Sequence, residues 1–192
     1  MEFRDIKQFE KATKRGRRES LRLGIGLFFV VSVMLFSSLS DGASGPHGVM
    51  LVIAAMIGGY MAMNIGANDV ANNVGPAVGS RALSMTWAIV IAAIFEMAGA
   101  LIAGGDVVAT VQKGIINPDM IADPERFIWL MTAALLAGAL WLNIATAFGA
   151  PVSTTHSIVG AVLGAGIASG GVGSANWGTL GGIVASWIIS PV

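Results

Sequence analysis

Residues 64–80 read NIGANDVANNVGPAVGS, and they follow directly on an apolar run, Val49–Ile65, long enough to approach a bilayer crossing. The stretch puts one acid among asparagines and glycines. Asp69, Asn72 and Asn73 are spaced i, i+3, i+4, so on a helix they share one face, with Asn68 one turn below Asn72. Such a face offers carboxylate and amide oxygens to a cation and amide hydrogens to an anion. Gly66 before the cluster and Gly75-Pro76 after it are breakers, and they predict a helix interrupted on both sides. A helix broken at membrane depth is tolerated only where protein buries it or it lines a polar cavity. The competing reading is a loop at a helix end, where Asn and Asp cap and turn for local reasons.

Composition places the whole chain in a membrane. Only 11% of residues are charged and 55% are hydrophobic, far from the roughly one-quarter charged content of soluble domains. The net charge is zero, yet eight of the eleven Lys and Arg lie between Arg4 and Arg22. A short basic segment abutting an apolar span is an orientation signal and not a nucleic-acid patch, so the N-terminus is expected on the cytoplasmic side of a cell (inner) membrane. No cysteine is present, which excludes disulfides and thiolate metal sites.

Taken in order, residues 1–20 form a basic tail and 21–40 an extra N-terminal transmembrane helix. A signal peptide has a similar layout, but the run exceeds the usual ~7–15-residue core, which favours a retained helix. Residues 41–48 then lie outside, and Val49–Ile65 returns inward to the polar stretch, with Arg81 on the inner side. Leu83–Gly104 goes out again, the loop to Arg126 holds four acids against two bases, and Phe127–Phe148 comes back in. Ile158–Ala168 is too short to cross and reads as half of a re-entrant hairpin. A further helix starts at Asn176 and stops at Ser190-Pro191-Val192 without a polar flank, as if cut in mid-membrane.

Two more polar features fall inside apolar surroundings. Glu96 lies midway along the third span, where a carboxylate costs about 2.5–3.5 kcal/mol on insertion scales unless it faces protein, water or a cation. Ala92, Gly99, Ala100 and Ala103 share its face, as expected of close helix packing, so both a structural acid and a cation or proton site fit. Residues 150–157, APVSTTHS, offer an anion site. Pro151 suits a first helical turn, and free backbone N–H groups would then join the hydroxyls of Ser153, Thr154 and Thr155. Hydroxyls that merely bond back to their own helix are the alternative. His156 is ambiguous, and a Ser153–His156 nucleophile pair lacks a nearby acid and an oxyanion motif.

GANDVANN with VGPAVGSRALS, then IFEMAGALIAGGDVVATVQKGII, PVSTTHSIVGAVLGAG and ASWIISP, resembles the first half of the inorganic phosphate transporter family over Val49–Val192. Its members include sodium- or proton-coupled phosphate symporters and sulfate permeases. The resemblance implies two inverted repeats, each carrying such a motif pair, around a central phosphate site, an arrangement common to secondary transporters. It implies phosphate binding by Asn68, Asn72, Ser153, Thr154 and Thr155. It also implies a coupling cation, Na+ or H+, at Asp69, Asn72 and Glu96, with Asp69 the sodium ligand if sodium drives the cycle. Asn73 departs from the small residue usual after the motif's second Asn, and the extra N-terminal helix lies outside the resemblance.

The expectation is therefore an all-α polytopic membrane protein, not an enzyme, whose residues 49–192 form one repeat of a cation-coupled phosphate transporter. A sulfate permease and a non-transporting scaffold or pore fragment are the alternatives. Inorganic phosphate and lipid are its expected partners, together with a missing second repeat or a second copy of the chain. No cofactor and no nucleic acid are expected. The polar face argues for that pairing, through small-residue helix faces at Gly160 with Gly164 and at Gly178, Gly182, Ser186 and Ser190.

Overall fold

A computed structural model describes residues 3–121 and 123–189. Ser190, Pro191 and Val192, and with them the expected mid-membrane stop and the end of one small-residue face, lie outside the described residues. Helix α1 spans Phe3–Ser38, α2 Gly48–Ile65, α3 Ala71–Gly79, α4 Met85–Ala109, α5 Pro124–Ala147, α6 Thr154–Gly170 and α7 Trp177–Ile189. Four stretches are long and apolar enough to cross a membrane: Glu19–Ser38, Gly48–Gly79, Met85–Ala109 and Pro124–Ala147. Their positions match the expected spans. The chain divides into two compact units, residues 1–59 and 60–192.

In the first unit, α1 is continuous from the basic tail into the span. Near its end, Ser32, Ser37 and Ser38 donate to the carbonyls of Phe28, Met34 and Leu35, so these hydroxyls serve the helix itself. A 3-10 turn, Asp41–Ser44, leads into α2.

The second unit is built on the pairing of α5 with α6, its most extensive helix contact. Ala134, Gly138, Ala139, Leu142 and Ala145 of α5 are buried, mostly small residues that let two helices approach closely. Val159 and Val162 of α6, at helical spacing, pack with Ala134 among them. Two apolar clusters result. One joins Ile115, Ile116, Ala134, Val159, Val162, Ala175 and Leu180; the other joins Met61, Ala139 and Leu142.

Between α4 and α5 the chain leaves helical geometry through a π turn, Thr110–Gly114, and folds back under α6. Ile115 and Ile116 are fully buried there, and the strap is clasped to the α6–α7 connection by an antiparallel bridge between Ile116 and Ala175. Asn117 N–H donates to Ser174 O at 2.8 Å and Asn176 N–H to Ile115 O at 3.0 Å. Gly166 is required at this point, because a Cβ there would collide with Ile116 Cγ2. Helix α7 returns antiparallel to α6, with the Trp187 ring 3.6 Å from that of His156. At 17 residues α6 reaches about 25 Å, short of a hydrocarbon core of about 30 Å.

The predicted double break around residues 64–80 is not what the chain does. Gly66–Val70 is a π turn that carries α2 into α3 without interruption, and Gly75 and Pro76 both lie inside α3. Neither Gly66 nor Gly75 takes a positive φ, so their freedom is unused. Pro76 costs the helix one donor, the one that would meet the Asn72 carbonyl, and the helix absorbs that loss. The reversal comes later, at Arg81, whose φ of 63° is left-handed.

Candidate functional site

Polar groups converge where the π turn of α2–α3 meets the α5–α6 loop, and the geometry of that loop starts at the end of α5. Gly149 takes φ +66°, its N–H donates to Thr146 O at 3.0 Å, and the next N–H, of Ala150, reaches Ala145 O at 2.8 Å. This is a Schellman ending, which needs a residue tolerant of left-handed backbone at that position and is commonly followed by proline. Gly149 and Pro151 supply both, and the ending fixes where the Ala150 carbonyl points.

Asn68 is 5% exposed and meets that loop with its whole amide. Its Nδ2 donates to Ala150 O and to Thr146 Oγ1, both at 3.1 Å. Its Oδ1 accepts from Val152 N–H at 3.2 Å and from Asn72 Nδ2 at 3.1 Å. An asparagine amide has two N–H groups and two lone pairs to offer, so Asn68 has none left for a ligand. Four residues earlier, Asn64 Nδ2 donates to Tyr60 O at 2.9 Å, and Asn64 Oδ1 accepts from Asn143 Nδ2 at 3.0 Å.

Helix α6 begins at Thr154, three residues beyond Pro151 and later than expected. Ser153 is its N-cap, accepting from His156 N–H at 3.3 Å, and Pro151 lies in the extended segment before it, not in the first turn. Helical geometry leaves the N–H groups of Thr154 and Thr155 without intrahelical partners. Ser153 and Thr155 are exposed, whereas Thr154 is 8% exposed with its hydroxyl oxygen buried and unpartnered among the described residues. A buried hydroxyl left unpaired costs on the order of 1–3 kcal/mol.

Asp69 is half-buried in the π turn and Asn72 is exposed one turn on. Asn73, in contrast, lies with Glu96 in a separate groove of about 860 Å³ between α3 and α4. Ala92, Gly99, Ala100 and Ala103 line this groove, so the small-residue face around Glu96 borders open space. Glu96 itself is exposed. The structure thus brings Asn68, Asn72 and the loop before Ser153 together, and sets Glu96 among α3 and α4 residues. Sequence reading missed Asn64, Asn143 and Thr146. The spacing of the two α5 residues, three apart and opposite two asparagines four apart at the end of α2 and in the π turn, was the available signal.

Fold and site together define a multi-pass helical membrane protein with its polar residues gathered at two helix irregularities. Known proteins narrow this. The phosphate transporter family model matches residues 65–192. A Helicobacter pylori (strain J99) protein named "Putative phosphate permease" is 55% identical over 192 residues, covering 100% of this chain and 36% of that protein. A Mycobacterium bovis protein, "Putative phosphate permease Mb2302", is 46% identical over 181 residues, covering 88% of this chain and 33% of its own length. A solved structure, "The sodium-dependent phosphate transporter", superposes with a TM-score of 0.71 at 44% identity, over 75% of this chain and 36% of that one. The chain belongs to the phosphate transporter family. It spans about a third of the length of the curated relatives it matches.

Proposed function

We propose that this chain supplies one half of a cation-coupled phosphate transporter, with the N-terminus of α6 as its phosphate-binding element. The observation that carries this is the buried, unpartnered Thr154 hydroxyl beside the free N–H groups of the first α6 turn. A helix N-terminus carries about half a positive charge and holds an oxyanion with neutral donors, so the ion is bound without a counter-charge that would retain it. Ser153, Thr154 and Thr155 donate to phosphate, and Asn72 reaches it from the α3 side. Asp69, with the Asn72 side-chain oxygen, holds the coupling cation, which offsets repulsion between Asp69 and the incoming anion. Sodium is that cation in this reading, supported by the name of the solved relative. Glu96 serves as the transport-linked acid of α4 and acts from its own groove.

The expected orientation puts the N-terminal tail in the cytoplasm, and α6 with α7 forms a re-entrant hairpin. Site closure needs a second repeat, or a second copy, against the polar face, since alternating access requires two walls. The test is uptake of radiolabelled phosphate into proteoliposomes holding the protein as the cell makes it. Uptake driven by an inward sodium gradient, and lost in Thr154→Val, is the expected result. Gradient-independent leakage, or wild-type uptake by Thr154→Val, overturns the reading.

A further inference from the structure

We propose that Asn68 and Thr146 are positioning residues: they bolt the α5–α6 loop onto the π turn and dictate which atoms of Asn72 face the ligands, and neither touches phosphate. This rests on the phosphate-binding reading of the α6 N-terminus given above.

The direction of every hydrogen bond in the joint follows from two backbone groups. Val152 N–H can only donate, and it faces Asn68 Oδ1; Ala150 C=O can only accept, and it faces Asn68 Nδ2. The amide orientation of Asn68 is therefore dictated by the loop and cannot be reversed without opposing donor to donor and acceptor to acceptor. Thr146 must then accept from Asn68, which commits its own proton to the Leu142 carbonyl, 2.7 Å away. Asn72 must donate to Asn68, which turns its side-chain oxygen away from the joint. A relay of four groups, Leu142 O, Thr146 hydroxyl, Asn68 amide and Asn72 amide, runs from the backbone of α5 to a residue of the first motif. It leaves Asn72 with an exposed oxygen for a cation.

The same relay places the second motif. Val152 lies one residue before the N-cap Ser153, so the bond from its N–H to Asn68 sets where the first turn of α6 begins. Any ligand that bonded Asn68 would have to displace one of its four partners, Val152 N–H, Ala150 C=O, Thr146 Oγ1 or Asn72 Nδ2. Binding energy for phosphate is thus collected on an arrangement the protein has already organised. Thr146, which belongs to neither motif, is the anchor of that arrangement.

The experiment measures phosphate concentration dependence of uptake for Thr146→Val, Thr146→Ser, Asn68→Ala and the Asn68→Ala/Thr146→Val pair. Hydrogen exchange at the Val152 amide is followed on the same proteins. Thr146→Val should raise the half-saturating phosphate concentration about tenfold, with a smaller effect on maximal rate, because the ligand must now assemble its own site. Thr146→Ser, which keeps the hydroxyl, should stay within about twofold of wild type, and the pair should be no worse than Asn68→Ala alone. Val152 exchange should accelerate in Asn68→Ala and Thr146→Val and remain slow in Thr146→Ser. Unchanged half-saturation in Thr146→Val, additive effects in the pair, or unaltered Val152 exchange each overturn the joint. Should wild type take up no phosphate, the transport reading fails and Val152 exchange alone decides the joint. Should Thr146→Val not be recovered folded, Thr146→Cys, a weaker acceptor, takes its place, and wild-type half-saturation and exchange in it overturn the proposal.

Discussion

Asn143 Nδ2 donates to Asn64 Oδ1 at 3.0 Å, one turn before the bond that Asn68 Nδ2 makes to Thr146 Oγ1 at 3.1 Å. The two bonds form a polar seam between α5 and the end of α2 with its π turn. Asn64 is 5% exposed, so removing its donor leaves a buried oxygen unsatisfied. Asn143→Ala is expected to destabilise by about 1 kcal/mol, measured by thermal unfolding in detergent. Replacing both residues by Leu should cost less than the single change, and an equal or larger cost would remove the pair from the seam.

Gly149→Ala tests the Schellman ending. Open space surrounds the position, so the cost is backbone strain alone, about 1–2 kcal/mol for a left-handed alanine. A fall in melting temperature is expected, together with weaker phosphate uptake, because the Ala150 carbonyl would leave Asn68. Gly104→Ala, a helical position equally free of neighbours, should not lower stability.

Gly166 has the opposite problem. A methyl group there meets Ile116, which is fully buried and held by the bridge to Ala175. Gly166→Ala should destabilise by about 1–3 kcal/mol through overpacking, and Ile116→Ala, which removes the colliding Cγ2, should cost less in that chain than it does alone. Strictly additive losses in the double variant would show that the two residues do not meet.

Asp69→Asn should reduce the dependence of uptake on sodium as well as its rate, since it removes the one acid in the sequence of the first motif. A sodium titration at fixed phosphate checks this, and an unchanged titration curve takes Asp69 out of the cation site. Glu96→Gln is the companion test from the α4 groove: full activity would leave Glu96 without a transport role.

Reporters placed at Ser44 and Arg81 should read opposite sides of the membrane, with Arg81 on the cytoplasmic side. The span Gly48–Gly79 separates them, and the basic residues before Arg22 set the sign. Reporters on the same side would rule out Gly48–Gly79 as a crossing.

The spans were readable because their apolar runs exceed what any soluble helix needs, and all four appear where composition puts them. Motif residues were readable too, since Asp69, Asn72 and Thr154 are conspicuous against apolar neighbours. Helix continuity was not. Glycine and proline signal permission to break, and in the fold Gly66, Gly75 and Pro76 all stay within helical turns. Asn68 and Asn72 looked equivalent in sequence; only the loop backbone, folded by Gly149 some eighty residues away, separates a filled amide from an open one. Thr146 was invisible for the same reason, because a threonine in an apolar helix ordinarily bonds its own backbone, and this one does that and more.

The π turn at Gly66–Val70 makes chain length itself a functional quantity. A π turn is an α-helix with one residue too many, so deleting a single residue between 66 and 70 would return the segment to ideal hydrogen bonding. The repair would be ruinous. Everything beyond it would rotate by about 100° and retreat about 1.5 Å, carrying Asn72 off Asn68 while leaving the helix more regular than before. The surplus residue is therefore the phase of the first motif relative to the second.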